Sequence, residues 1–184
     1  MRKITTLLCM LCLTLALGAQ ETLWTGGAGN TNWNDPGNWS AGVPVAGQTA
    51  TILGSAPVFP VYGGSPIVDI TIQNFGTITF DDFVYNDGNI INFTGNLVVG
   101  NGLFINAGGV FFDNDGTFEV NGTFENYGRF ENAATAILNI NSGSAFINYG
   151  FLKNNGDTNI DGVLTNFGTF RSTKDVQNNN LLDN

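Results

Sequence analysis

The stretch Thr117-Phe118-Glu119-Val120-Asn121-Gly122-Thr123-Phe124-Glu125-Asn126-Tyr127-Gly128-Arg129-Phe130-Glu131-Asn132 repeats one six-residue phrase: an outward residue, a phenylalanine, a glutamate, then a turn. Period-two alternation sends Phe118, Phe124 and Phe130 to one surface and their neighbours to the other, as an extended strand does. The turn is spelled N-x-G along much of the chain, at Asn86-Asp87-Gly88, Asn114-Asp115-Gly116, Asn126-Tyr127-Gly128, Asn148-Tyr149-Gly150, Asn154-Asn155-Gly156 and Asn166-Phe167-Gly168. A unit this short buries nothing alone and must stack on copies of itself.

Taken in threes, the units give a longer period of about 20 residues. One column reads Asn86, Asn106, Asn126, Asn148, Asn166; a second Phe93, Asn114, Asn132, Asn154, Ser172; a third Val99, Val120, Ile140, Ile160. Steps within the columns run from 18 to 22 residues, the longest placed at a small loop insertion across Leu138–Ser144. The pattern predicts an all-β fold, a short three-sided β-solenoid (β-helix) of four to five coils. Glycines would relax the corners where φ turns positive. Leu97, Phe104, Phe111, Phe146, Leu152, Leu164 and Phe170 are expected inside with the three phenylalanines. Asparagines stacked at the ~4.8 Å strand spacing are expected to form hydrogen-bonded ladders. The same Asn-Gly and Asp-Gly pairs also suit two-residue hairpins of a sandwich or meander, which leaves the three columns unexplained. Frequent glycine and the lack of a 3.6-residue period argue against helices here.

Residues 1–19 read as a secretory signal peptide: Arg2 and Lys3, an apolar run Ile4–Leu17, and the small-residue exit Ala16-Leu17-Gly18-Ala19. The run is short for a membrane span. Both cysteines, Cys9 and Cys12, fall within it, so the chain beyond residue 19 has no thiol or disulfide chemistry. Without Arg2 and Lys3, four basic residues face fifteen acidic ones, a net of 4 − 15 = −11. That balance argues against nucleic acid and against an anionic membrane surface as partners. Composition changes near residue 66: all three tryptophans and four of the five prolines precede it, and Pro66 marks the boundary. The expected organisation is a Trp/Pro-rich cap segment over 20–66, solenoid repeats over 67–172 and a polar tail over 173–184.

The segment Leu23-Trp24-Thr25-Gly26, Trp33-Asn34, Asn38-Trp39-Ser40, Val43-Pro44, Ala50-Thr51-Ile52 resembles the opening of large bacterial secreted and cell-surface repeat proteins, adhesin-like and often exported by the type IX route. There a W-x-G … W … N-W-S … P segment precedes β-repeats, and Ile67-Val68-Asp69-Ile70-Thr71-Ile72 resembles the first strand of those repeats. The resemblance implies a secreted or surface-displayed, adhesin- or matrix-like chain with a surface glycan or protein as partner, and no catalytic residue. It also implies continuation into further domains; a terminal sorting domain of that family has no counterpart after Ser172. Trp24, Trp33 and Trp39 then have two readings. They cap the first coil's exposed strand edge, or they form an aromatic platform for sugar rings, which would make the chain a carbohydrate-binding module.

Residues for chemistry are sparse. With no histidine anywhere, Ser/His and Cys/His nucleophile systems and the common zinc sites are excluded. A polysaccharide-cleaving β-helix needs carboxylates gathered on one face, whereas Glu119, Glu125 and Glu131, six apart, fall on three sides. The expectation is therefore no enzyme, no cofactor and no metal. Asp113-Asn114-Asp115-Gly116, with Asp157 and Asp161, offers oxygens without either calcium-loop spacing and reads as corner turns. N-glycosylation sequons stand at Asn38, Asn92 and Asn121. No threonine column repeats at the coil period, which argues against an ice-binding face.

Overall fold

The computed structural model describes residues 21–64, 66–179 and 181–183, so the proposed signal peptide lies outside the described residues. The chain is a three-sided parallel β-solenoid of about six turns, with about 20 residues per coil. Each coil lays one strand on each of three faces, and every strand pairs in parallel with its counterpart one turn away. The first face stacks eight strands: Glu21–Trp24, Thr49–Ile52, Thr71–Asn74, Ile90–Asn92, Phe111–Asn114, Arg129–Asn132, Phe151–Asn154 and Thr169–Ser172. The second face stacks seven: Val61–Gly63, Thr77–Asp81, Asn96–Val99, Thr117–Val120, Ile137–Ile140, Asp157–Ile160 and Val176–Asn178. The third also stacks seven: Ile67–Val68, Phe83–Asp87, Leu103–Asn106, Thr123–Asn126, Ala145–Asn148, Val163–Asn166 and Leu181–Asp183.

Coil length is set by corner length. Where all three corners have two residues, three four-residue strands close a coil of 18, as from Asn114 to Asn132 (132 − 114). Four-residue corners at 107–110, 133–136 and 141–144 each add two; a coil containing the last two spans 22 residues, from Asn132 to Asn154 (154 − 132). The insertion expected across Leu138–Ser144 is thus one of three such corners.

The interior is the aromatic stack that period-two alternation demands. Phe104, Phe112, Phe118, Phe124, Phe130 and Phe146 are buried, with Leu97, Leu152 and Leu164 completing the layers. Their rings meet from all three faces: Phe118–Phe124 centroids lie 5.1 Å apart, Phe124–Phe130 5.7 Å and Phe124–Phe146 4.7 Å. Two positions shift by one residue from the sequence expectation. Phe111 points outward, 47% exposed, and Phe112 fills the core. Phe93 sits on a corner and Asn92 takes its place in the second column. A one-residue slip moves a strand's side chains to the opposite face, and the paired aromatics Phe111-Phe112 hide the correct phase. Phe170 is only partly buried against the core.

Both asparagine columns are continuous amide ladders. On the first face the chain of side-chain donors runs Asn74→Asn92→Asn114→Asn132→Asn154→Ser172, at 2.7–3.1 Å. On the third it runs Asn86→Asn106→Asn126→Asn148→Asn166, at 2.7–2.9 Å. Several Nδ2 groups also donate to the carbonyl of the corner glycine two residues on, as Asn86 does to Gly88 at 2.9 Å. Parallel stacking in register is what permits this, because each amide meets an identical one a strand spacing away.

The corner glycines have a different role from the one expected. None of Gly88, Gly116, Gly122, Gly128, Gly150, Gly156, Gly162 or Gly168 has positive φ. Each lies so close to the coil beneath that a β-carbon would overlap backbone carbonyls; at Gly162 it would stand 2.5 Å from those of Asn141 and Ser144. Left-handed backbone occurs instead at Gly64, at Gly109 and Gly143 in the longer corners, at Asp69 and Asp82, and at Gly26, Gly29, Gly42 and Gly47 in the first turn.

The cap and tail are not separate from the prism. Glu21–Trp24 and Thr49–Ile52 are the first two strands of the first face, and Val176–Asn178 and Leu181–Asp183 extend the other two. This gives more than the four to five coils expected. The early strands lack the N-x-G phrase, because Trp24 and Ile52 occupy the column that Asn74 continues. Ile67–Ile72 is not one strand either; it turns a corner at Asp69.

Candidate functional site

Trp24, Trp33 and Trp39 do come together, as a buried cluster at the first turn with exposures of 2%, 2% and 5%. Leu23–Trp24 extends along the first face, and the chain then loops out through a 3-10 turn at Pro36–Asn38 before returning at Thr49. Asp35 caps that turn, its carboxylate accepting from Gly37 N at 2.9 Å and Asn30 Nδ2 at 2.8 Å; these bonds, Asn30's first, hold its pKa below the usual carboxylate value. Asn38 ties the loop together from within, donating to Asn30 O and Asn32 O and accepting from Ala28 N. The indoles pack edge to face, Trp24–Trp39 at 5.1 Å and Trp33–Trp39 at 4.6 Å, and Trp33 meets Tyr62 at 5.0 Å. Two of the N–H groups are satisfied internally, Trp24 by Val58 O and Trp39 by Trp33 O, each at 2.7 Å. Tyr62 passes the aromatic contact on to Phe80 and so to the solenoid core. A sugar platform needs an open ring face, and these rings have none. This is the geometry of a cap.

The carboxylates are dispersed. Glu119, Glu125 and Glu131 stand on the second, third and first faces. On the first face Glu131 receives both Arg129 and Lys153. Lys153's hydrogen bond, then Arg129's, holds the Glu131 carboxyl below its usual value. One column neighbour away, Asp113 is pushed up by burial and then by the charge of Glu131. Asp113, Asp115 and Glu131 border a dent of about 200 Å³, while Asn114 between them is buried in the ladder. Asp157 is on the second face, where it pairs with Lys174 at 2.7 Å, and Asp161 lies on the corner beyond it. Among the described residues, no group of three or more His, Cys, Asp or Glu is placed to hold a metal ion. Of the sequons, Asn38 and Asn92 are fully buried, whereas Asn121 is exposed on a corner.

What the sequence reading passed over is the middle letter of N-x-G. At the edge joining the third face to the first, that letter is Tyr127, Tyr149 and Phe167 in three successive coils. The rings stack along the solenoid axis, Tyr127–Tyr149 at 4.6 Å and 11°, Tyr149–Phe167 at 5.2 Å and 15°, and stay 45%, 41% and 69% exposed. Beside them on the first face runs a second outward column, where the Arg129 guanidinium lies 5.6 Å from the Phe111 ring and 5.8 Å from Phe151. Arg171 lies over Phe151 from the far side, also at 5.8 Å. Between the columns an open groove of about 540 Å³ has Gly128 and Gly150 in its lining. The legible signal was aromatic identity at x, which occurs also at Phe75 on the edge joining the first face to the second, where its ring stacks on Phe93 at 4.5 Å and 6°.

No protein-family model, curated protein or solved structure matches this chain.

Proposed function

We propose that the chain is a non-catalytic extracellular or cell-surface β-solenoid segment that serves as a structural spacer and adhesive surface. The observation that carries this reading is the pair of continuous amide ladders flanking an apolar core with stacked phenylalanines at its middle, which locks successive coils together. The product is a stiff prism roughly 30 Å tall at the usual strand spacing. Its faces present side chains in straight columns, suited to holding a surface at a fixed distance and orientation. The resemblance of the tryptophan segment to secreted bacterial repeat proteins supports the extracellular setting, as does the acidic surface. The carbohydrate-binding alternative based on Trp24, Trp33 and Trp39 is disfavoured by their burial.

Protease shaving of intact producing cells, with mass spectrometry of the released peptides, tests the setting. Peptides from the exposed corners around Asn121 and Asn141 are expected without lysis. Their recovery only after lysis would overturn the surface assignment.

A further inference from the structure

The fold needs the asparagine and the glycine of each N-x-G corner but leaves x free. At the edge joining the first face to the second, the residue after each ladder asparagine is Phe75, Phe93, Asp115, Ala133 and Asn155 in successive coils, and at the edge joining the second to the third the corner residues include Asn121 and Asp161. Solvent-exposed corners take such polar residues at no cost to packing. Three consecutive aromatics at the remaining edge are therefore not a demand of the solenoid, and a contiguous exposed aromatic strip marks a binding surface. Gly128 and Gly150 lie in the groove between the strip and the first face. Phe111, Arg129 and Phe151 form the wall opposite Tyr127, and Tyr149 and Phe167 continue the Tyr127 stack along the axis.

We infer that this groove binds an extended, neutral, β-1,4-linked glycan lying along the solenoid axis. Four observations select that ligand. The groove is open, and its walls repeat once per coil, a spacing of ~4.8 Å that is close to the advance per pyranose in such a chain. Its walls combine apolar ring surface with the Tyr127 hydroxyl and the Arg129 guanidinium, the mixture that suits a sugar's C–H faces and hydroxyl rim. An added peptide strand is disfavoured because the backbone there is already paired: Arg129 N donates to Val110 O, Phe151 N to Gly128 O and Thr169 N to Gly150 O, at 2.9–3.0 Å. A polyanionic chain is disfavoured because Arg129 is paired with Glu131, and Glu125 accepts from the Tyr127 hydroxyl at 3.1 Å, which places carboxylates at both walls. The inference deepens the adhesive reading by naming what the surface holds, and its test does not depend on where the chain resides.

The test is isothermal titration of the purified full chain with cellohexaose and chitohexaose, with hexagalacturonate as the anionic contrast. Binding to a neutral hexamer and not to the uronate is expected. Tyr149→Ala and Phe167→Ala should each weaken it roughly tenfold, the size of one lost aromatic contact with its buried area. Phe75→Ala, at another edge, should leave it unchanged. Because the alanine variants could misfold, nitration of the unaltered chain is read by mass spectrometry: bound hexamer should protect Tyr127 and Tyr149 but not Tyr85, which is exposed on the third face outside the groove. Absence of binding to both neutral hexamers overturns the inference. So does binding that Tyr149→Ala and Phe167→Ala leave intact, or binding without tyrosine protection. Sedimentation showing a dimer that Tyr149→Ala dissociates would assign the strip to a second copy instead and also overturn it.

Discussion

The side-chain amide of Asn126 donates to the amide oxygen of Asn148, 2.8 Å away in the next coil, and both residues are fully buried. Asn126 also accepts from Asn106 at 2.9 Å and donates to Phe151 O at 3.1 Å. A polar group this deep is tolerable only because every bond is made; among the described residues just Asn96 Oδ1 and Thr158 Oγ1 lack a partner in the interior.

Asn126→Ala removes a link that leaves the Asn106 donor and the Asn148 acceptor buried without it. The expected loss is about 3–5 kcal/mol, from two stranded polar groups and a small cavity. Asn166→Ala, at the ladder's end and only partly buried, should lose about 1 kcal/mol. Urea unfolding of the two variants measures the difference.

Gly150→Ala and Gly109→Ala separate crowding from backbone strain. A methyl group at Gly150 collides with the carbonyls of Gly128 and Tyr127, whereas at Gly109, with φ at +88°, it meets open space. Gly109→Ala should cost about 1 kcal/mol. Gly150→Ala should cost at least about 3 kcal/mol, because two backbones must part. Equal thermal midpoints for the two variants would contradict the close-approach account.

Trp39→Ala should destabilise by about 3–5 kcal/mol, since it empties the centre of the cap and frees the Trp33 carbonyl. Tryptophan emission of the intact chain should be blue-shifted and resistant to iodide quenching, and unchanged by cellohexaose or chitohexaose. Quenchable, solvent-exposed emission would restore the sugar-platform reading.

Acid sensitivity should centre on Glu131. Its folded pKa is lowered, so its contribution to stability is complete above its unfolded value of about 4.5 and is lost as pH falls through the lowered folded value. Asp113, raised in the fold, acts with the opposite sign: its favourable contribution belongs to the acid side and is lost as pH rises through the raised value. Glu131→Gln should therefore lose about 0.5–1 kcal/mol at pH 7 and less at pH 3. Asp113→Asn should gain slightly at pH 7. Urea midpoints at the two pH values check both signs.

The prism itself was legible because its rule is written in residues with one physical meaning each. Phe118, Phe124 and Phe130 alternate with polar neighbours, and Asn126 to Asn148 spans a whole coil. Phase was lost at Phe111-Phe112, where hydrophobicity does not say which of the pair is inside, and at Asn92-Phe93, where it points to Phe93 although the buried ladder position belongs to Asn92. The first turns were hidden because Trp24 and Ile52 fill the ladder column with apolar atoms, so no asparagine announces it. Of the surface, spacing gave the dispersal of Glu119, Glu125 and Glu131. It did not reveal that Tyr127, Tyr149 and Phe167 align, because an outward side chain leaves no imprint on the core pattern.

Parallel, in-register coiling is tested most directly by spin labels at Glu119 and Asn159, two turns apart in one outward column through Asn139. The expected backbone separation is ~10 Å, from twice the strand spacing, which gives strong dipolar broadening at low temperature. Labels at Glu119 and Thr169, on different faces and coils, should broaden far less. Broadening absent for the first pair would contradict the solenoid, and with it the ladders and every surface column that depends on them.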